Sequence, residues 1–229
     1  MEILKLIRNY LYANVIVPYR HYKYGRQLNI MNSQETLDYI LKTKCSVSRY
    51  GDYEYMSIYE ETNNFQTSNS DASVRLKEVL NSNIPNHIVC IPYSFKSVNH
   101  DNKHAQIFWK HYVAKYGKRI LGVTDTNKKY FDASFTRFYM DSKDKSFVHS
   151  YVEKMKNLWI NRNVYIVEGT GTCFGVNDDF LDGAKSIYRI ICPATNAFDK
   201  YDQIIEACKN NIPKDALVLC ALGMTATIL

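Results

Sequence analysis

Several kinds of segment are absent from this sequence of 229 residues. No run of 18 apolar residues occurs, and residues 1–17 are interrupted by charged side chains, so we expect neither a membrane-spanning helix nor a cleaved signal peptide. Glycine and proline are sparse, at 9 and 5, and no Ser/Gly-rich or Pro-rich stretch divides the chain. Because there is also no repeat of fixed period, the sequence predicts one domain without an internal linker.

Motifs of common enzyme classes are missing as well. No G-x-G-x-x-G follows the first predicted strand, and Gly169 and Gly171 have no third glycine at the required offset, which disfavours an oxidoreductase or methyltransferase. No G-x-S-x-G occurs, which disfavours a hydrolase with a nucleophile elbow. His100 and His104 have the spacing of zinc ligands on a helix, but without a third ligand a solvent-exposed helix start is the preferred interpretation. Six cysteines without a C-x-x-C spacing predict buried, reduced thiols in a cytoplasmic protein.

The net charge is moderately positive, because 29 Lys and Arg face 23 Asp and Glu, which gives +6. Such a charge suits phosphates, acidic glycans or an anionic membrane, and we expect no nucleic-acid partner. An N-terminal segment, residues 1–32, combines apolar residues at helical spacing with basic residues after them. A helix docked on its own domain is the preferred interpretation. The alternative is a basic amphipathic helix in weak peripheral contact with the inner face of the membrane.

Helical and strand patterns alternate through the remaining residues, 33–229. Helices are predicted over 33–44, 53–60, 71–80, 103–116, 145–159, 178–184 and 200–209. Strands are predicted over 45–48, 87–92, 163–169, 186–192 and 216–222, of which 164–167 and 217–221 are expected to be interior strands. The alternation predicts a Rossmann-like α/β fold, with a mainly parallel sheet and helices on both faces. Ligands should then bind beyond the carboxyl ends of the strands.

Residues 49–54 follow one of these predicted strands and carry the most suggestive chemistry. Asp52 and Glu54 flank one residue, and a divalent cation that bridges a diphosphate needs oxygen ligands of this kind. The alternative is that the two carboxylates only stabilise the N-terminus of a helix through its dipole. Arg49, beside Gly51, can place its guanidinium on a phosphate, or it can form a salt bridge with Asp52 or Glu54.

The segment Ser48-Arg49-Tyr50-Gly51-Asp52-Tyr53-Glu54 resembles the Arg-(aromatic)-Gly-Asp-x-Glu signature of the bacterial GT-D fold glycosyltransferases, formerly a domain of unknown function. Further matches follow in order up to residue 229, at Tyr130, 134–137, 168–169, 175–179, 184–187, 192–201 and 221–226. The resemblance implies a Rossmann-like fold and transfer of a hexose, typically glucose, from a UDP-sugar, with Mn²⁺ or Mg²⁺ at the Asp-x-Glu motif. Known members elongate glycans on bacterial surface adhesins. The implied acceptor is therefore a glycan, carried by a surface glycoprotein or by a polysaccharide.

The same resemblance implies roles for individual residues. It assigns Asp52 and Glu54 to the metal and to catalysis. It makes further residues candidates for the donor pocket, namely Arg49, Gly51, Glu168, Gly169 and Gly223. The acceptor hydroxyl needs a base, for which either Glu168 or Asp179 could serve, and Asp179 is also a candidate donor contact.

The sequence departs from the family pattern in four places. One is the segment 175–179, where the order Gly-Val-Asn-Asp-Asp replaces the more usual glycine-asparagine-aspartate order. Cys173 stands where the family usually has Arg, and Met224 stands where it usually has Pro. Relatives continue beyond residue 229, so we expect the domain to be incomplete at its C-terminus and one sheet face to be uncovered. The alternative function is therefore a nucleotide-sugar or glycan-binding module whose catalysis is impaired.

Overall fold

Helices and strands alternate along residues 2–229, which are the part of the chain described by this computed structural model. The helices are α1 Glu2–Leu11, α2 Val17–Gly25, α3 Ser33–Thr43, α4 Asp52–Ile58, α5 Ser70–Asn81, α6 Lys103–Val123, α7 Phe138–Asp141, α8 Val148–Lys156, α9 Tyr201–Asn211 and α10 Met224–Ile228. The strands are β1 Asn29–Ile30, β2 Ser46–Arg49, β3 His87–Ile91, β4 Lys129–Asp132, β5 Asn163–Gly169, β6 Ser186–Cys192 and β7 Leu217–Ala221. Every strand pair described is parallel, which confirms the predicted α/β class.

The strands form two sheets, whereas the sequence predicts one. The chain divides into unit 1, which comprises residues up to Gly51 together with Leu80–Val148, and unit 2, which comprises Asp52–Val79 and His149–Leu229. Unit 1 contains a four-stranded sheet in the order β1-β4-β3-β2, and unit 2 a three-stranded sheet in the order β6-β5-β7.

Unit 1 is built around β3, whose residues Ile88 to Ile91 are all buried. The predicted helix over 33–44, which either Asn32 or Ser33 could cap, has Asn32 as its cap. The Asn32 side chain accepts a hydrogen bond from the Glu35 amide at 3.0 Å, and the Glu35 carboxylate accepts one from the Asn32 amide at 3.0 Å. Residues 124–140, whose weak periodicity predicts a loop with a short helix or strand, contain the strand β4.

Unit 2 has β5 at the centre of its sheet, and Val164, Ile166 and Val167 are fully buried there. The core cluster on one side of the sheet contains Val167, Cys192, Ala197, Ile204 and Leu222. The prediction that 217–221 is an interior strand is wrong, because β7 lies at the edge of the described sheet and pairs with β5 alone. Its side chains alternate between half-buried and exposed as a result.

Two other predictions about unit 2 and the thiols need correction. Residues 178–184 form a series of turns in place of the predicted helix, since the Asp178 carboxylate accepts a hydrogen bond from the Phe180 amide at 2.9 Å and Gly183 has a φ of +88°. The six cysteines are all free, as expected, but Cys173 and Cys220 are exposed and are not buried core residues.

The N-terminal segment does not dock as the sequence suggests. None of the residues of α1 is buried, so the preferred interpretation of a helix packed on its own domain is wrong for α1. The packing is made by α2, which buries Val17, His21 and Gly25. Within the described residues, 2–229, no helix is both long and apolar enough to cross a membrane.

Candidate functional site

The Asp-x-Glu pair lies at the start of α4. Within unit 2, this helix lies near the carboxyl end of β7. The Tyr53 ring packs edge-on against Phe65 at 5.6 Å between centroids. Phe65 in turn closes on Gly223, where an added Cβ would stand 3.4 Å from the Phe65 Cβ. Helices α4 and α10 are also in contact. The structure therefore brings Asp52, Glu54 and Gly223 to the same edge of the unit 2 sheet, where open α/β folds bind ligands.

The loop after α4 is fastened to the turn after β6 by a network that the sequence analysis missed. Gln66 is 3% exposed; its Nε2 donates to Asp199 Oδ1 at 3.2 Å and its Oε1 accepts from the Phe198 amide at 3.2 Å. Asn196, at a φ of +52°, accepts from the Thr67 amide at 2.8 Å. The only sequence signal was that Asn196 and Asp199 fall within the matched run 192–201. This network fixes the position of α4 relative to the sheet.

Asp52 and Glu54 differ in their surroundings. Glu54 is 8% exposed and Asp52 is half-buried. Residues two positions apart on a helix point about 200° apart, so the two carboxylates do not face each other. That Asp52 and Glu54 together hold a divalent cation stays a prediction, and on this helix each would approach the ion from a different side.

Glu168, at the end of β5, is held by two groups inside unit 2. Its carboxylate is 2% exposed, pairs with the Arg189 guanidinium, and accepts a hydrogen bond from the Phe174 amide at 2.9 Å. Arg189 also donates to the Phe174 carbonyl at 2.7 Å. The three residues form a clamp that fixes the beginning of the loop between β5 and β6.

The other two predicted residues of this loop region have contrasting environments. Gly169 is the last residue of β5, and an added Cβ would come 2.9 Å from the Ala194 Cα, so close backbone packing explains the glycine. Asp179 has an 85% exposed side chain and lies 4.0 Å from Lys156 Nζ. Of the two candidate bases, Asp179 is thus the more accessible carboxylate.

Arg49 and Gly51 belong to unit 1, at the carboxyl end of β2. The Arg49 Nε donates to the Ala133 carbonyl at 2.7 Å, which ties the end of β2 to the turn after β4. Gly51 is half-buried and directly precedes α4 in the chain.

Unit 1 carries a second polar group at its sheet edge that sequence reasoning missed. Asp132, 1% exposed at the end of β4, accepts hydrogen bonds from the Tyr93 and Ser134 amides at 2.9 and 2.8 Å and from the Ser33 hydroxyl. Burial raises the pKa of Asp132 above its usual range. Recognising β4 in the sequence would have placed this residue at a strand end.

His100 belongs to the same edge of unit 1. Its Nε2 lies 2.9 Å from the buried Asp101 carboxylate, and its ring packs against Tyr93. Burial opposes protonation, but the Asp101 hydrogen bond and charge outweigh it and raise the pKa of His100. His100 is therefore paired, and only His104 fits the predicted solvent-exposed helix start.

The metal-binding capacity of these residues is limited. No group of three or more His, Cys, Asp or Glu side chains that could hold an ion exists among residues 2–229. At α4 the chain offers only the carboxylates of Asp52 and Glu54. So small a ligand set fits Mg²⁺ or Mn²⁺, which can take their other ligands from phosphates and water.

Two curated proteins are similar to this chain. It is 32% identical over 206 residues to a probable glycosyl transferase, Gly, of Streptococcus gordonii, a match that covers 89% of this chain and 30% of that protein. It is 31% identical over 206 residues to the glycosyltransferase GlyD of Streptococcus pneumoniae serotype 4, covering 88% of this chain and 25% of that protein. The chain therefore spans less than a third of the length of these relatives.

A solved structure and a family model agree with these relatives. A structure described as the highly conserved domain of unknown function 1792, with a distinct glycosyltransferase fold, superposes with a TM-score of 0.87 at 31% identity, covering 93% of this chain and 76% of the other. The family model for the glycosyltransferase GT-D fold matches residues 47–229. This match covers most of the chain and includes the segment 48–54 on which the sequence resemblance depends. The chain belongs to the family of glycosyltransferases with the GT-D fold.

Proposed function

We propose that this chain transfers a hexose, typically glucose, from a UDP-sugar to a glycan acceptor on a surface glycoprotein or polysaccharide, on the cytoplasmic side of the membrane. The observation that carries the proposal is the position of the Asp-x-Glu helix. Tyr53, Phe65 and Gly223 hold α4 at the carboxyl end of β7. Family membership supplies the reaction class, and this edge is where a nucleotide-sugar is expected to bind.

The carboxylates at α4 are proposed to bind a divalent cation together with the donor diphosphate. When bound, Mn²⁺ or Mg²⁺ would stabilise the negative charge on the departing diphosphate. Because Asp52 is the more accessible of the two, we assign it to direct contact with the ion. Glu54 is buried and lies on another side of the helix. We propose that it favours the ion through its negative charge, without contacting it.

The remaining residues are proposed to bind the donor or to activate the acceptor. Arg49 supplies positive charge for phosphate oxygens, and Gly51 and Gly223 allow the donor to approach the backbone closely, whereas Gly169 lets the end of β5 pack against Ala194 beside the site. Asp179 is the preferred base for the acceptor hydroxyl, because Glu168 is already engaged by Arg189 and Phe174. Glu168 is accordingly proposed to position the loop that carries Asp179.

Calorimetric titration with UDP, with and without Mn²⁺, tests the assignment at α4. Asp52→Asn should lower the metal-dependent affinity more than Glu54→Gln, for which a loss of about 10-fold to 100-fold is expected of a residue that acts around the ion. Asp71→Asn is the matched control, since Asp71 is also an acidic residue in the first turn of a unit 2 helix. If Asp52→Asn and Glu54→Gln bound UDP as tightly as the parent and the Asp71→Asn control, and with the same dependence on Mn²⁺, the ion would have to bind elsewhere.

A nucleotide-sugar-binding module with impaired turnover is the second candidate. Cys173 stands in the loop where the family usually has Arg; it is exposed, and its φ is +50°. A cysteine cannot supply the positive charge that an arginine would bring to an anionic donor. Saturable UDP binding without consumption of any UDP-sugar, across a panel of donors with Mn²⁺, would favour this function over transfer.

A further inference from the structure

The N-terminal helical segment, which we define as residues 2–26, presents an apolar surface without a cover. In α1 the side chains of Ile3, Leu4 and Leu6 are 72%, 73% and 66% exposed. With Ile7, Tyr10 and Leu11 they occupy an arc of about 160° at 100° per residue, and the polar residues occupy the opposite side. An arc this wide is typical of helices that bury one face.

The segment is nevertheless firmly attached to unit 1 through α2. His21 Nε2 lies 2.8 Å from the Ser94 carbonyl, and an added Cβ on Gly25 would stand 2.2 Å from the Phe95 carbonyl oxygen. Packing this close positions α2 rigidly. The uncovered surface of α1 is therefore presented by a fixed support.

The exposed residues of α2 include aromatic and basic side chains. Tyr19 and Tyr22 are 61% and 62% exposed, whereas His21 and Gly25 are buried. The Arg26 guanidinium lies 5.7 Å from the centre of the Tyr22 ring. Tyrosines with neighbouring lysines and arginines are typical of protein surfaces that lie at the lipid–water interface.

Charge decides between the possible occupants of this surface. Residues 1–30 contain five Lys and Arg and one Glu, a net charge of +4 within a chain whose total is +6. A second copy would bring the same positive charge against it, which opposes self-association. A bilayer with anionic headgroups complements both the apolar arc and the charge.

We propose that the N-terminal helical segment binds the surface of an anionic lipid bilayer, with α1 lying in the plane of the interface. The apolar arc enters the boundary between headgroups and acyl chains, and Lys5, Arg8, Arg20, Lys23 and Arg26 contact the headgroups. This attachment would hold unit 1 at the membrane without a spanning helix. It does not depend on the proposed transfer reaction.

Vesicle flotation of the full chain tests the proposal, with vesicles of phosphatidylcholine alone or mixed with phosphatidylglycerol. The parent should float with the mixed vesicles, and salt should weaken but not abolish the binding, since screening acts on the charges and not on the apolar arc. Leu4→Gln/Ile7→Gln should lower the partition coefficient at least about tenfold. Lys5→Gln/Arg8→Gln should lower it about tenfold at low salt and much less at high salt.

The matched control is Ile84→Gln/Ile187→Gln, which removes two exposed isoleucines elsewhere in the chain, 59% and 42% exposed against 73% and 51% for Leu4 and Ile7. It should float as the parent does, and circular dichroism should show that all variants are folded. The proposal is overturned if the parent stays in solution with anionic vesicles, or if the control loses as much binding as Leu4→Gln/Ile7→Gln. Light scattering adds a third outcome: a parent dimer that Leu4→Gln/Ile7→Gln converts to a monomer, without vesicle binding, would assign the surface to a second copy.

Discussion

The clamp between Glu168 and Arg189 makes a quantitative prediction that separates a structural role from a catalytic one. The Glu168 carboxylate is 2% exposed and has two donors, the Arg189 guanidinium and the Phe174 amide. Glu168→Ala removes both acceptors and leaves Arg189 with one fewer partner. Breaking a buried ion pair costs about 3–5 kcal/mol; because the Arg189 side chain is 26% exposed and can reach water, we expect about 2–4 kcal/mol.

Glu168→Gln should lower the free energy of unfolding by less than Glu168→Ala does, about 1.5–3 kcal/mol. The amide oxygen keeps one hydrogen bond, but the charge is lost. Urea titration measures both values. The chain has two tryptophans, Trp109 in unit 1 and Trp159 in unit 2, and Trp159 is 1% exposed. A Trp109→Phe background therefore makes fluorescence report on the unit that contains the clamp.

The double variant Glu168→Gln/Arg189→Gln completes a thermodynamic cycle. A clamp predicts a coupling free energy of at least about 1 kcal/mol between the two positions. A catalytic base predicts instead a large fall in turnover with unchanged stability. If Glu168→Ala is as stable as the parent within about 0.5 kcal/mol, the clamp is not what holds this loop, and the case for Glu168 as a base returns.

Three shorter predictions concern single sites, each measured by urea titration. Asp132→Asn should change the free energy of unfolding by less than about 1 kcal/mol, because its amide can donate to Ser33 while its oxygen still accepts from two backbone amides; Asp132→Ala should cost about 2–4 kcal/mol. Gly223→Ala should cost about 1–3 kcal/mol, because the φ of +53° is strained for alanine, whereas Gly122→Ala, in open space on a helix, should be neutral or stabilising; equal effects would contradict this. Burial lowers the pKa of His21 below its usual 6.5, so the unfolded state binds more protons and the free energy of unfolding falls as the pH drops below 6.5. His21→Gln should make the free energy of unfolding less dependent on pH in this range. An unchanged pH dependence would rule His21 out as its source.

Local structure could be predicted well from neighbouring residues. Asn32 and Glu35 stand three positions apart, which is the spacing that a capping box needs, and the helix begins there. The runs 163–169 and 186–192 form strands as their β-branched residues predict. The family could be predicted from the segment 48–54 together with the motifs that follow it in order, because the combination is specific although each motif is short.

Contacts between distant residues could not be predicted in this way. Glu168 and Arg189 are 21 positions apart, and nothing in the run 163–169 shows that its terminal carboxylate has a partner. The strand β7 has the apolar composition of an interior strand, but its place at an edge depends on which strands pair with it. Asp132 was missed because its strand is only four residues long within a weakly periodic region.

The N-terminal segment shows where the boundary between the two kinds of information lies. The sequence by itself determined that the N-terminal segment starts as an amphipathic helix and continues with basic residues, because these properties follow from the order and spacing of its side chains. It could not determine whether the apolar side is covered, since a docked helix and an uncovered helix have the same periodicity. Only the tertiary structure decided this: α2 makes the close contacts with unit 1, and α1 is left with its apolar side exposed.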